Sequence, residues 1–231
     1  MDVTIFQLLE GARQARGAAV IIDVFRAYSV ECYGFAQGLR RIYPVGGLEE
    51  ARRMKEEHPD YLLCGEREGR KQPGCDFGNS PLEITKRNLT GRTLIHTTSA
   101  GTQGLENAKG ADLLLAASLV NARATAEYLR RLNPAQVSLV CMGLAGRRPT
   151  DEDTLCAQYI RALLLDLPFD KEQAVETMRR GDGQRFFIPE DQGFAPKEDF
   201  DLCVMFDRFP YALPVQYDQE GRKYIEREII Q

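Results

Sequence analysis

Short uninterrupted apolar runs recur along this chain, and charged, helix-forming stretches fill the spaces between them. AAVIIDVF (18–25), RIYPV (41–45), YLLCG (61–65), RTLIHTT (92–98), DLLLAAS (112–118) and VSLVCMG (137–143) each read as a strand. None alternates apolar with polar residues, so each predicts a strand covered on both faces, as in a parallel sheet. Between them, LEEARRMKEEH stops before Pro59, whose ring disfavours helical backbone in the preceding residue. NARATAEYLRRLN places Ala122, Ala126, Leu129 and Leu132 on one helical face behind Asn121 as cap. TDEDTLCAQYIRALLLDL turns Leu155, Tyr159, Ile160 and Leu163 inward, with Thr150 and Asp153 at capping-box spacing. The Asp151-Glu152-Asp153 cluster reads chiefly as negative charge favoured at a helix start.

Strand–helix alternation of this kind predicts right-handed crossovers and a layered α/β/α fold with a mostly parallel sheet. One unit spanning 1–231 accommodates the pattern, and so do two similar lobes with a boundary near 120. From about 182 the character changes to a mixed α+β tail. GDGQRFFIPEDQGFAPKEDFD is turn-rich, and DLCVMFDRF and LPVQYD suggest two more strands.

Composition narrows the function. A net charge of -4 argues against nucleic acid as the main partner, because phosphate backbones require a basic face. The apolar runs are far shorter than a membrane span, and the first residues lack the basic start and apolar core of a secretion signal. Six cysteines without a CxxC pair point to reduced thiols and a cytoplasmic setting. With only two histidines, His58 and His96, a three-histidine zinc site is excluded.

In open parallel sheets ligands gather at the loops leaving the carboxyl ends of strands. Those loops hold three kinds of chemistry. Asp23, Glu66 and Asp76 are hard oxygen donors suited to Mg2+. Arg26, Arg67 and Arg147 offer planar forks for phosphate or carboxylate. Asn79, Ser80, Thr97, Thr98, Ser99, Gly101, Thr102, Ser118 and Asn121 offer hydroxyls, amides and backbone N–H groups to an oxyanion. Residues 65–81, GEREGRKQPGCDFGNSP, concentrate charge and glycine directly after a buried strand, as an active-site loop does.

The ordered series VIIDVFRA, GEREG, GCDFGNSP, TTSAGT, ASLVNA and CMGLAG…EDTLCA resembles the 2-phosphosulfolactate phosphatase family of coenzyme M biosynthesis, from about residue 18 to 166. The resemblance implies an α/β, Mg2+-dependent phosphatase that cleaves (2R)-2-phospho-3-sulfolactate to sulfolactate and phosphate. Tyr28-Ser29 and Ser99-Ala100 depart from the family's pattern, which has small threonines at the first place and Asn before Gly-Thr at the second. Both places border the expected pocket.

Asp23, Arg26, Glu66 and Arg67 are therefore the catalytic candidates, with Asp23, Glu66 and Asp76 as metal ligands for a small anionic phosphorylated substrate. Residues Thr97 to Thr102 would offer donors to the charge that develops in the transition state. Either water or Asp23 attacks, and the lack of a second aspartate in DVF favours water. Two rivals stand beside this reading. CGEREGR and CMGLAGR both fit C-x5-R, the spacing of a thiolate phosphatase, although the spacing arises readily by chance in an arginine-rich chain. A non-catalytic binder of an anionic metabolite would use similar loops. Association into a homo-oligomer, common among such enzymes, is left open by the sequence.

Overall fold

The structure, a computed structural model, describes residues 1–230. Its strands are β1 (Asp2–Gln7), β2 (Gly17–Ile22), β3 (Arg41–Pro44), β4 (Leu62–Arg67), β5 (Arg70–Lys71), β6 (Thr93–Thr97), β7 (Ala111–Ala117), β8 (Gln136–Cys141), β9 (Tyr211–Tyr217), β10 (Lys223–Ile225) and β11 (Glu228–Ile229). Its helices are α1 (Leu8–Gln14), α2 (Ala27–Ala36), α3 (Leu48–Glu57), α4 (Pro81–Thr85), α5 (Gly101–Asn107), α6 (Ala122–Leu132), α7 (Asp151–Leu164), α8 (Lys171–Arg180) and α9 (Lys197–Cys203). The fold is α/β with a mostly parallel sheet. The six strands expected from apolar runs are β2, β3, β4, β6, β7 and β8, and LPVQYD falls in β9.

The sheet runs in the order β1-β8-β2-β7-β9-β10-β3-β6-β4-β5, with β11 on β9. The block β1-β8-β2-β7 is parallel, and so is the block β3-β6-β4. Between them the pairings β7–β9, β9–β10 and β10–β3 are all antiparallel. Three reversals make the two parallel blocks run in opposite directions. A single flat rim of carboxyl ends is therefore not how the site forms.

The sheet curls instead. β2 and β6 are five strand spacings apart, about 24 Å along a flat sheet, yet the Gly101 N–H after β6 donates to Asp23 after β2 at 2.9 Å. Twist accumulated across many strands lets the blocks face one another. Helices α2 and α5 fill the space between. α2 has nine of its ten residues buried, so it lacks the one-sided apolar stripe by which a surface helix is read. A Cβ on Gly104 of α5 would lie 2.5 Å from both Ile21 Cγ2 and Met142 Sδ, which shows how closely α5 lies on β2.

Several expectations are corrected. DLCVMFDRF is no strand: Phe200 and Cys203, buried at helical spacing, belong to α9, and the chain then turns through Asp207 with φ of 59°. Leu132 ends α6 and is 52% exposed. The Thr150–Asp153 capping box does not form, because Asp153 reaches across to other loops. Asn121 occupies the cap position of α6, but its Oδ1 accepts from the Ser118 N–H at 2.9 Å instead.

Candidate active site

Register explains how distant loops arrive together. In the first block Ile22 lies level with Ala117 and Cys141, so Asp23, Ser118 and Met142 leave the sheet side by side. In the second block Gly65 lies level with Thr97, so Glu66 and Thr98 do the same. Curling of the sheet then sets the two groups of loops against each other around a cavity of about 260 Å3.

Three buried carboxylates knit those loops, each by two backbone amides. Asp23 accepts from the N–H of Ala27 at 3.1 Å and of Gly101 at 2.9 Å, the first residues of α2 and α5. Glu66 accepts from the N–H of Ser99 at 2.7 Å and of Gly69 at 2.8 Å. Asp153 accepts from the N–H of Val24 at 2.8 Å and of Gly143 at 2.7 Å. Glycine is needed at 101, where a Cβ would press on Asp23 Oδ2 at 3.0 Å and Tyr28 Cζ at 3.1 Å. The first departure from the family pattern reaches the residue next to the second, since the Tyr28 hydroxyl donates to the Gly101 carbonyl at 2.7 Å.

The cavity is strongly acidic. Asp23, Glu66, Glu68, Glu152, Asp153 and Asp191 line it against only two cations, Arg26 and Arg185. Burial pushes Asp23 up to about 6, against the pull of the Ala27 amide, and the Glu66 charge adds to the rise. Burial likewise raises Glu152 to about 7, opposed by Arg185, and lifts Asp153 well above its usual range, the Glu152 and Asp23 charges adding to it. Glu152 Oε2 is buried with no hydrogen-bond partner among the described residues, and its Oε1 lies 3.8 Å from Arg185. The Asn79 side chain is 7% exposed and its Oδ1 is also unpartnered.

Arg26 is held by three acceptors: Asp199 at 2.5 Å, the Phe194 carbonyl at 2.8 Å and the Gly69 carbonyl at 3.0 Å. It braces one wall of the cavity. Ser80 caps α4 and donates to the other oxygen of Asp199 at 2.8 Å, behind that wall. Phe25, Phe186 and Phe194 supply the apolar lining.

The candidates from sequence thus separate. Asp23, Arg26, Glu66, Asn79 and Ser99 meet at the cavity. Arg67 turns to a neighbouring depression with Arg147, Thr98 and Ser99. Gly101 serves through its backbone, and Thr98 and Thr102 bond each other within the turn. Thr97 is buried and accepts from Arg67 at 3.0 Å. Three candidates lie elsewhere. Ser118 and Asn121 are wholly buried, Ser118 facing Ser29 at 2.6 Å. Asp76 accepts from the Leu63 N–H at 2.8 Å, with Lys55 at 3.8 Å, and does not line the cavity. Its side chain instead ties the loop after β5 back to the start of β4, where a buried strand amide needs an acceptor.

Arg185, Asp191, Phe194 and Asp199 were not singled out from sequence, and Glu152 and Asp153 were read there chiefly as helix-start charge rather than as metal ligands. Glu152 and Asp153 stand in the first turn after the β8 loop, so placement at a strand end was a usable signal. The others come from the turn-rich tail and carry no motif. Neither cysteine of the two C-x5-R matches lines the cavity; Cys64 donates to the Gly78 carbonyl and Cys141 to the Asp153 carbonyl.

An α/β protein whose strand ends gather around an acid-lined cavity has its ligand site where such folds take small molecules, at the loops leaving those ends. Residues 4–186 match the 2-phosphosulpholactate phosphatase family. The chain is 42% identical over 224 residues to a probable 2-phosphosulfolactate phosphatase of Carboxydothermus hydrogenoformans, covering 90% of each chain. It is 29% identical to one of Bacillus subtilis over the full length of both. It is 38% identical to one of Caldicellulosiruptor saccharolyticus over 64% of this chain and 62% of that protein. The chain belongs to the 2-phosphosulpholactate phosphatase family, and so to the phosphoric monoester hydrolases.

Proposed function

We propose that this protein hydrolyses the phosphomonoester of 2-phospho-3-sulfolactate in a Mg2+-dependent reaction. The observation that carries the metal dependence is the charge of the cavity. Six carboxylates face two guanidinium groups; even with Asp153 and part of Glu152 protonated the lining stays net acidic, which favours a polyanionic substrate that arrives with a compensating cation. The donor set fits Mg2+, which takes one or two carboxylates and completes its shell with substrate phosphate and water. Asp23 and Glu66 are the residues to hold it; among the described residues no three acidic, histidine or cysteine side chains form a closed cage. A bound Mg2+ supplies positive charge against the phosphoryl oxygens and the lining carboxylates.

The protein's own groups do the rest. Both oxygens of Asp23 already accept amide hydrogen bonds, which favours water over Asp23 as the attacking group. Glu152, neutral and ionised in comparable amounts near pH 7, can give a proton from Oε2 to the departing oxygen or receive one from water. Phe25, Phe186 and Phe194 form an apolar wall of the cavity, and low-dielectric surroundings strengthen the charge interactions beside it.

Phosphate release from 2-phospho-3-sulfolactate, with thermal melting in parallel, tests the reading. Mg2+ is expected to raise the melting temperature and to be required for turnover, and Glu66→Gln to lose both responses while keeping a cooperative melt. Full turnover in excess chelator, or an unchanged Mg2+ response in Glu66→Gln, would refute the metal assignment.

A further inference from the structure

We infer that the basic depression beside the acid-lined cavity seats a second strong anion of the substrate, so that the chain selects phosphomonoesters bearing a sulfonate close to the phosphorylated carbon. The inference rests on the phosphatase reading above and assigns the part of the ligand that is not phosphate. The depression, about 320 Å3, shares Glu68, Ser99 and Ala145 with the cavity. The two hollows therefore adjoin, yet are opposite in charge: the depression sets Arg67 and Arg147 against Glu68 alone. A phosphoryl dianion suits the acidic side because a divalent ion accompanies it. A sulfonate, ionised at every physiological pH and a poor metal ligand, suits guanidinium donors.

Arg67 is oriented, and both arginines are electrically available. Arg67 is oriented by the Glu66 carbonyl at 2.6 Å and Thr97 Oγ1 at 3.0 Å. These acceptors are neutral, so its charge is not cancelled. Arg147 stands on a loop closed by the Leu144 N–H to the Arg148 carbonyl at 2.8 Å and anchored at Gly143 by Asp153. The adjacent arginine is taken, since Arg148 pairs with Asp182 at 2.5 Å. The Arg147 guanidinium has no ion-pair partner among the described residues. A rival seat exists beyond the Asn79 wall, in a groove of about 610 Å3 lined by Lys71, Lys86 and Arg87. There Lys71 already lies 3.9 Å from Glu83 and donates to the Asp76 carbonyl, which favours the arginine depression.

The test compares 2-phospho-3-sulfolactate with 2-phospholactate, which lacks the sulfonate, in wild type, Arg147→Gln and Lys86→Gln, each with Mg2+. Removal of a charge-assisted contact is expected to lower kcat/KM for the sulfonated ester about ten- to a hundred-fold in Arg147→Gln. The expected change for 2-phospholactate is below about threefold. Equal losses on both esters, or a selective loss in Lys86→Gln, overturn the inference while leaving the phosphatase reading intact. A wild type inactive on both esters refutes the phosphatase reading itself. In that event calorimetric binding of sulfolactate decides the subsite alone: weakening by Arg147→Gln supports it, and unchanged affinity overturns it.

Discussion

Replacing Glu152 by glutamine should stabilise the metal-free protein at neutral pH, by an amount that vanishes in acid. Glu152 is 3% exposed, its Oε2 has no partner, and burial lifts its pKa from 4.5 to about 7. The folded protein therefore binds the Glu152 proton more tightly than the unfolded chain does. Between about pH 4.5 and 7 the folded state carries the extra proton, so stability falls as pH rises through that window. At about 1.36 kcal/mol per pKa unit, the full penalty is on the order of 3 kcal/mol above pH 7. Glutamine keeps the shape and removes the ionisation. Asp23 titrates in both proteins, while Asp153, whose rise the Glu152 charge adds to, moves with it, so the difference reads the Glu152 charge together with its coupling to Asp153. Urea unfolding in chelator at half-unit steps from pH 4 to 8 measures it. The two stability curves should lie at a constant separation below pH 4.5, then diverge with the variant gaining. Parallel curves over the whole range would refute the claim that this carboxylate is forced to ionise in a low-dielectric cavity.

Asp199→Asn should cost about 3–5 kcal/mol, because it leaves Arg26 buried without its counter-charge, 5% exposed and 2.5 Å from the lost oxygen; a loss below about 1 kcal/mol by denaturant titration would reject this role. All six cysteines are free and buried, and burial pushes the Cys141 thiol well above its usual range. Iodoacetamide on the native protein at pH 7.5 should leave phosphatase activity intact over an hour; loss of activity in step with modification at Cys64 or Cys141 would revive the thiolate route.

The apolar runs were legible because a strand covered on both faces must be apolar throughout, whatever its neighbours. β2, β3, β4, β6, β7 and β8 all announce themselves this way, and the amphipathic α3 and α6 do so by one-sided burial. The helix α2 was silent for the opposite reason: buried all round, it has no period to read. β1 was silent too, an edge strand only half covered.

Part of the site was legible for a related reason. A carboxylate or arginine next to a buried strand needs partners, and Asp23, Arg26 and Glu66 found theirs in one cavity. The same logic misplaced Asp76, whose partner was the Leu63 amide at the start of β4, and left Glu152 and Asp153 as helix-start charges.

The chain order by itself determined which segments are strands and which charged residues leave their ends, since those depend on local polarity and spacing. It could not decide which ends meet. That followed from three antiparallel pairings that reverse one parallel block and from the curl that brings the blocks together. Only this geometry joins Asp23 to Gly101, 78 residues apart, and brings Arg26 to Asp199 across 173. Pairing and curvature are set by the summed packing of the whole sheet, which no single stretch of residues encodes.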